Sequence, residues 1–114
     1  MQTIQYKNFI FKPNQKLLDV GCGQGRHSFG AYMHTDIEVV GVDMGLLDVL
    51  KAKQNFNQFN EKNDSKSCNF FVTNAKNLPF KNNEFDHVVC SEVLEHIIDY
   101  ESALKEIKRV LKPG

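Results

Sequence analysis

Three glycines at alternate positions, Gly21, Gly23 and Gly25, follow a short apolar run that contains Asp19. A turn built from glycine lets a ligand approach the backbone closely, because no side chain stands in the way. Open α/β sheets bind their ligands in a crevice beside the carboxyl ends of the strands. The spacing therefore predicts a ligand site at a strand–turn–helix junction, a feature that NAD, FAD and other nucleotide folds share.

A second acidic residue, Asp43, ends the next apolar run, residues 37–42. A carboxylate at that place can accept hydrogen bonds from both hydroxyls of a ribose held over the glycine turn. The alternative is a structural role, in which Asp43 caps the helix that begins near Gly45. The glycine turn upstream favours the ribose interpretation.

The charges near the turn discriminate between ribose-containing ligands. The dinucleotide fingerprint is GxGxxG, in which helix N–H groups bind a pyrophosphate. Here the third glycine comes one residue early, and Arg26 stands where the third dinucleotide glycine would be. Asp19 would repel a pyrophosphate and attract a cation. These features favour S-adenosylmethionine, which has a ribose, an ammonium and a sulfonium but no phosphate, over NAD.

The hydrophobic pattern places these residues on alternating strands and helices. Strands are predicted at residues 16–20, 37–42, 69–73 and 85–90, and helices at 26–34, 45–59 and 100–111. The segment 74–84, which contains Pro79, is predicted to be irregular. Alternation of this kind predicts a parallel sheet with right-handed crossovers.

Each of the two longer helices is predicted to bury one apolar stripe, because apolar residues recur at steps of three and four. The stripe of the middle helix comprises Leu46, Val49, Ala52, Phe56 and Phe59. The stripe of the last helix comprises Tyr100, Leu104, Ile107 and Leu111.

Length and composition restrict the class of protein. The chain has 114 residues, enough for one small domain, and its fourteen basic residues balance fourteen acidic ones. This balance gives no reason to propose nucleic acid or an anionic membrane as a partner, and no apolar run approaches the ~20 residues of a membrane span. Three cysteines without a paired spacing predict neither disulfides nor a zinc site, and they favour a cytoplasmic location.

Five segments together resemble the type 11 group of class I S-adenosylmethionine-dependent methyltransferases. They are LLDVGCGQGRHSF (17–29), VVGVDMG (39–45), NAKNLPFKNNEFD (74–86), VVCSEVLEHI (88–97) and LKEIKRVLKPG (104–114), in the family's order. The resemblance implies a Rossmann-like parallel sheet with strand order 3-2-1-4-5-7-6, of which this chain supplies the first four strands. It also implies methyl transfer from S-adenosylmethionine to an acceptor that these motifs do not identify.

The resemblance further implies which residues bind the cofactor. Asp19 lies beside the methionine moiety, through water or the ammonium group, and Asp43 takes the ribose hydroxyls. Met44 packs on the adenine, while Asn74 and Ala75 reach the adenine edge. The family usually has aspartate where this chain has Asn74, and weaker binding is expected. The remaining expected contacts are the backbone of Gly21, Cys22, Gly23 and Gly25 and the side chains of Arg26 and Ser91.

Arg26 has two interpretations: it holds the methionine carboxylate, or it faces solvent at the start of a helix. A general base is needed only for an acceptor that keeps its proton at neutral pH. The candidates are Glu92, Glu95 and His96, whose alternative role is to stabilise the turn after the fourth strand. Cys22 is expected to be a small turn residue and not a nucleophile, since no base is spaced to activate it.

Residues 1–15 are interpreted as a lead-in, and residues 16–114 as the cofactor-binding portion of a methyltransferase domain that continues beyond this sequence. A small molecule is the favoured acceptor, and the exposed edge of the fourth strand offers a surface for self-association. Two alternatives stay open. One is a non-catalytic cofactor-binding or interaction fragment completed by a partner chain, and the other is an NAD-linked oxidoreductase.

Overall fold

The computed structural model describes residues 15–25, 28, 37–59, 68–90 and 100–113, with the side chains of 58, 59 and 100 excepted. Its strands are β1 (Lys16–Val20), β2 (Glu38–Asp43), β3 (Cys68–Val72) and β4 (His87–Cys90), and its helices are α1 (Leu46–Phe59) and α2 (Tyr100–Val110). The strands form one sheet in the order β3-β2-β1-β4, with every neighbouring pair parallel. The predicted Rossmann-like parallel sheet is confirmed, with the family's order for its first four strands.

The predicted strand boundaries hold within two residues. β1 has the predicted bounds, whereas Phe85 lies outside β4 and forms an isolated bridge to Leu111. The N–H of Phe85 donates to the carbonyl oxygen of Val110 at 2.8 Å. The carbonyl oxygen of Phe85 accepts a hydrogen bond from the N–H of Lys112 at 2.8 Å. The backbone that was predicted to extend β4 therefore pairs with the end of α2.

Several predicted elements lie outside the described residues. They are the lead-in up to residue 14, the helix at 26–34 apart from Ser28, and the turn that follows the fourth strand.

The central strands β1 and β2 are buried on both faces of the sheet, which explains their near-continuous apolar runs. Leu17 and Leu18 are both fully buried, but successive side chains of a strand point to opposite faces. One core cluster joins Leu17 to Val49 and Ala52 of α1. The other joins Leu18 to residues of α2 and of the β3–β4 connection, namely Ala103, Val110, Ala75, Leu78 and Phe85.

In both helices, the buried residues differ in part from those of the predicted apolar stripe. In α1, Val49 and Ala52 are buried as predicted, but Leu46 is 58% exposed. Leu46 begins the helix just after β2 ends, so its turn lies at the edge of the sheet and not over it.

In α2 the fully buried positions are Ala103 and Val110, while Leu104, Ile107 and Leu111 are half-buried. The buried face is therefore turned by about one residue from the predicted stripe. Within the described part of the chain, no helix combines the length and apolar character needed to cross a membrane.

Candidate functional site

The glycine turn follows β1 directly, and its backbone explains the glycine spacing. Gly21, Gly23 and Gly25 have φ angles of 74°, 54° and 92°, in the left-handed region that favours glycine. The N–H groups of Gly21 and Cys22 both donate to the carbonyl oxygen of Val42, at 2.8 and 2.9 Å. The turn is therefore folded back against the carboxyl end of β2.

The carboxylate of Asp43 joins the glycine turn to the start of α1. Its Oδ2 accepts a hydrogen bond from the N–H of Gly23 at 2.9 Å, and its Oδ1 accepts one from the N–H of Gly45 at 2.8 Å. Gly45 is the N-cap, because its carbonyl oxygen accepts the helical bond from Val49 at 3.0 Å. The structure thus shows Asp43 in the alternative, structural role at the start of the helix. It leaves the ribose role open, since each carboxylate oxygen can accept a further bond.

The N–H groups of the turn are largely used within the protein. The N–H of Gly25 donates to the carbonyl oxygen of Cys22 at 2.9 Å. Together with the bonds from Gly21, Cys22 and Gly23, this commits four N–H groups to protein oxygens. A pyrophosphate site needs such N–H groups pointing at the ligand. The chemistry of this turn is therefore unlike that of a dinucleotide-binding turn.

Asp19, which is predicted to lie beside the methionine moiety, is fully buried. Its Oδ2 accepts a hydrogen bond at 2.8 Å from the hydroxyl of Ser28, which is also fully buried. The expected role of Asp19 beside the methionine moiety, through water or the ammonium group, stays a prediction.

Ser28 was not predicted to be a site residue, although Gly41 in β2 could have indicated the Asp19–Ser28 pair. A Cβ added to Gly41 would lie 2.9 Å from Ser28 Oγ and 2.7 Å from a ring carbon of Phe70. Gly41 lies beside Asp19 in the strand register, so its missing side chain leaves room for the Asp19–Ser28 pair. A glycine within a run of valines indicates that another group approaches the strand closely at that position.

The thiols near the site are not nucleophiles. Burial, with added contributions from Asp19 and Asp43, raises the pKa of Cys22 far above its usual range. Burial likewise raises the pKa of Cys68 to about 12. Both thiols stay protonated at neutral pH, and a protonated thiol is a poor nucleophile. This agrees with the expected role of Cys22 as a turn residue with its side chain in the core.

The chain after β3 forms the other side of the candidate site. The N–H of Thr73 donates to the carbonyl oxygen of Asp43 at 3.0 Å, which brings the ends of β2 and β3 together. Met44 is 66% exposed, Asn74 is half-buried, and Ala75 is buried with its side chain in the core. The Oδ1 atom of Asn74 accepts a hydrogen bond from the N–H of Lys76 at 2.9 Å. The amide oxygen of Asn74 is thus already used within its own turn.

Two residues of α2 hold this segment in place, and neither was predicted from the sequence. Glu106 Oε1 accepts a hydrogen bond from the N–H of Leu78 at 2.8 Å. Arg109 donates to the carbonyl oxygens of Leu78 and Phe80 at 2.9 and 2.8 Å. It also donates to Asn82 Oδ1 at 2.9 Å and to both oxygens of Glu106, at 2.6 and 3.0 Å. These bonds use all five N–H donors of the guanidinium.

The structure gathers only part of the predicted site. Gly21, Gly23, Asp43, Met44 and Asn74 lie at the carboxyl edge of β1, β2 and β3. The predicted residues that lie outside the described part of the chain are Arg26, Ser91, Glu92, Glu95 and His96.

The fold and this edge define a Rossmann-like domain with a candidate ligand site at the carboxyl ends of its strands. Residues 18–114 match the family model described as a methyltransferase domain. The chain is 38% identical over 113 residues to a demethylmenaquinone methyltransferase of Staphylococcus saprophyticus, covering 95% of this chain and 45% of that protein. The chain belongs to the methyltransferase-domain family, as its resemblance predicted.

Solved structures share the fold. A phosphoethanolamine N-methyltransferase of Haemonchus contortus, in complex with phosphomonomethylethanolamine and S-adenosylhomocysteine, matches with a TM-score of 0.82 and 28% identity, over 96% of this chain and 25% of that one. The [4+2]-cyclase SpnF matches with a TM-score of 0.85 and 27% identity, over 96% of this chain and 39% of that one. The chain spans less than half the length of the curated relatives that it matches.

Proposed function

We propose that this chain binds S-adenosylmethionine at the carboxyl edge of β1, β2 and β3, and that the whole protein transfers its methyl group to an acceptor. The observation that carries the proposal is the state of the glycine turn, where four N–H groups are committed to protein oxygens and two carboxylates lie close by. Such a site suits a ligand with a ribose and a positive charge but no phosphate. Membership of the methyltransferase-domain family supports the same cofactor.

Asp43 is the proposed ribose ligand. Each of its oxygens accepts one backbone N–H and keeps a further lone pair, so the two oxygens can receive the two ribose hydroxyls. The exposed side chain of Met44 follows directly and would cover the adenine. Gly21 and Gly23 would line the methionine moiety with backbone.

Other contacts rest on the resemblance. In the proposal Ala75 contributes its backbone, since its side chain is buried. Arg26 and Ser91 are proposed contacts of the methionine end, and Cys22 and Gly25 contribute to the turn. Glu92, Glu95 and His96 remain the candidates for a general base.

The cofactor would supply an activated methyl group, and the residues of this chain would hold and orient it. Holding the methyl group in line with the acceptor lowers the barrier of such a displacement. A base is required only where the acceptor carries a proton at neutral pH.

The acceptor is proposed to be a small molecule. The relatives' names give very different acceptors, including demethylmenaquinone and phosphoethanolamine, so the shared motifs do not select among them. Residues 16–114 are the proposed cofactor-binding portion, the exposed edge of β4 is a proposed surface for self-association, and the cytoplasm is the proposed location.

One fold neighbour supports an alternative, in which the chain has no methyl transfer activity. The fold neighbour SpnF is named as a [4+2]-cyclase, and the same fold can therefore carry different chemistry. In that alternative the chain binds the cofactor and acts through a partner.

Calorimetric titration with S-adenosylhomocysteine, with NADH as the comparison ligand, tests the proposal. We expect binding of S-adenosylhomocysteine alone. Binding of NADH with equal or greater affinity would support an oxidoreductase and contradict the proposal. Transfer of a labelled methyl group to small-molecule acceptors by the whole protein would then separate an enzyme from a binding protein.

A further inference from the structure

A second cavity, of about 280 Å³, lies between α1 and β3. It is lined from α1 by Lys53, Phe56 and Asn57, and from β3 by residues 68–71. Because α1 joins two parallel strands, it runs back from the carboxyl edge of the sheet to the amino edge, and Lys53 lies about two turns along it. The cavity is therefore separate from the candidate site at the carboxyl ends of the strands.

The inner wall of this cavity is apolar. Cys68 and Phe70 are buried, and the half-buried Phe56 packs against the same core cluster. The rings of Phe56 and Phe70 meet edge to face, with their centroids 6.4 Å apart and an angle of 65° between their planes. Burial keeps the Cys68 thiol protonated, with a pKa raised to about 12, so this wall carries no charge at neutral pH. A wall of this kind suits a flat apolar ring.

The rim of the cavity is polar and carries a positive charge. Lys53 and Asn57 are exposed and lie one turn apart on the same face of α1, opposite the exposed Asn69 of β3. Among the residues that the structure describes, no carboxylate lines the cavity or forms an ion pair with Lys53. The ammonium and the two amide groups can all donate hydrogen bonds to an anion.

We propose that this cavity binds a small aromatic carboxylate, with its ring against Phe56 and Phe70 and its carboxylate toward Lys53. Charge complementarity favours an anion, because the charged group at the rim is a cation. Ligand sites begin at about 300 Å³, so a cavity of about 280 Å³ suits one or two rings with a carboxylate. The inference concerns a second site, and it does not depend on the proposed function.

Titration of the protein with 2-naphthoate, followed through its backbone amide NMR signals, tests the inference. We expect saturable binding with a dissociation constant of about 1 mM, as is typical of a ligand of this size. The largest shifts should occur at the amides of Asn57, Asn69 and Phe71. Neutral 2-naphthamide keeps the ring without the charge and should bind about fivefold more weakly, since an exposed ion pair contributes little more than that.

Two variants separate the charge from the ring. Lys53→Gln should reduce the preference for 2-naphthoate over 2-naphthamide to less than about twofold. Lys51→Gln is the matched control, because Lys51 is exposed on the same helix, lies outside the cavity and loses the same charge. It should keep the fivefold preference. Phe71→Ala, at a partly exposed lining position, should weaken both ligands about fivefold and leave their ratio unchanged.

The absence of saturable shifts up to about 10 mM 2-naphthoate would overturn the inference. Equal effects of Lys53→Gln and Lys51→Gln on the preference would also overturn it, as would displacement of 2-naphthoate by S-adenosylhomocysteine with shifts at Gly23 and Gly45. Unchanged binding of 2-naphthoate in the presence of saturating S-adenosylhomocysteine would support two separate sites. Calorimetry with S-adenosylhomocysteine alone tests the proposed function, so the two failures are distinguishable.

Discussion

The glycine turn and the segment 73–84 lie at the same edge of the sheet, but different kinds of contact hold them. The turn is held by neighbouring strands, through Val42, Asp43 and the buried Asp19–Ser28 pair. The segment 73–84 is held largely from α2, through Glu106 and Arg109. The first region therefore depends on buried packing, whereas the second depends on a half-buried ion pair and its hydrogen bonds.

Because of this difference, we expect changes in the two regions to have different costs in stability. Buried polar groups and tight packing are costly to disturb, since a lost partner or an added methyl group cannot be compensated by water. Half-buried hydrogen bonds can be partly replaced by water. We therefore expect changes at the glycine turn to reduce the stability of the whole fold, and changes at Arg109 to act mainly on the order of the segment 73–84.

The largest expected effect is that of Gly41→Ala. The added Cβ would lie within 3.0 Å of the ring of Phe70 and of Ser28 Oγ, so a buried ring and a buried hydrogen bond must move. We expect the free energy of unfolding to fall by about 3 kcal/mol, measured by chemical denaturation. Gly45→Ala is the matched control, because its Cβ would meet the side chains of Asp43 and Asp48 at 3.2 and 3.3 Å. An equal loss in both variants would contradict the packing argument.

Ser28→Ala should have the next largest effect. It removes the hydroxyl that donates one hydrogen bond to the buried side chain of Asp19, and the loss of a buried hydrogen bond costs about 2 kcal/mol. A double-mutant cycle with Asp19→Ala, which removes the acceptor, measures the coupling between the two residues. If Ser28→Ala costs the same in both backgrounds, then the hydrogen bond is not the source of the effect.

Arg109→Lys should act on the second region with a smaller effect on the fold. A lysine ammonium cannot reproduce the planar set of five donors, so bonds to Leu78, Phe80 and Asn82 are lost. We expect the affinity for S-adenosylhomocysteine to fall about tenfold and the amide of Leu78 to exchange faster with solvent, at a modest cost in Tm. Lys108→Arg, at an exposed neighbouring position, should change neither quantity.

The smallest expected effect is the pH dependence of the stability that the Glu106–Arg109 ion pair contributes to the fold. The hydrogen bond from Arg109 lowers the pKa of Glu106 below its usual value of 4.5, although burial opposes the shift. Because the pKa is lower in the folded state, the ionised carboxyl stabilises the fold at pH above 4.5, and this contribution disappears as the pH falls through the folded-state pKa. Glu106→Gln should therefore lower Tm at pH 7 more than at pH 3. An equal reduction in Tm at both pH values would contradict the ionic account.

The first region was largely predictable from the sequence, because its signals are local. Alternate glycines, an apolar run and an acidic residue at each strand end predicted β1, β2 and the turn between them within one residue. The irregular segment was also predictable from Pro79 and its polar neighbours, as was its place before β4.

The contacts that hold the second region were not predictable in the same way. Arg109 bonds to residues 27 to 31 positions away, and no periodicity connects a helix surface to a loop at that distance. The burial of Asp19 depends on Ser28, in an adjacent element, and on the absence of a side chain at Gly41. Leu46 was misassigned for a related reason, since helical spacing gives the direction of a side chain and not whether the sheet extends beneath it.

The most direct test of the central claim is the affinity of Asp43→Asn for S-adenosylhomocysteine, measured by calorimetry beside Asp48→Asn. An amide at position 43 can accept only through its oxygen, so it would place a donor against the N–H of Gly23 or Gly45 and lose one ribose acceptor. We expect the dissociation constant to rise at least about thirtyfold for Asp43→Asn. It should change less than about twofold for Asp48→Asn, an exposed aspartate in the first turn of the same helix. Equal affinities of Asp43→Asn and the wild-type protein, with both folded, would contradict the account.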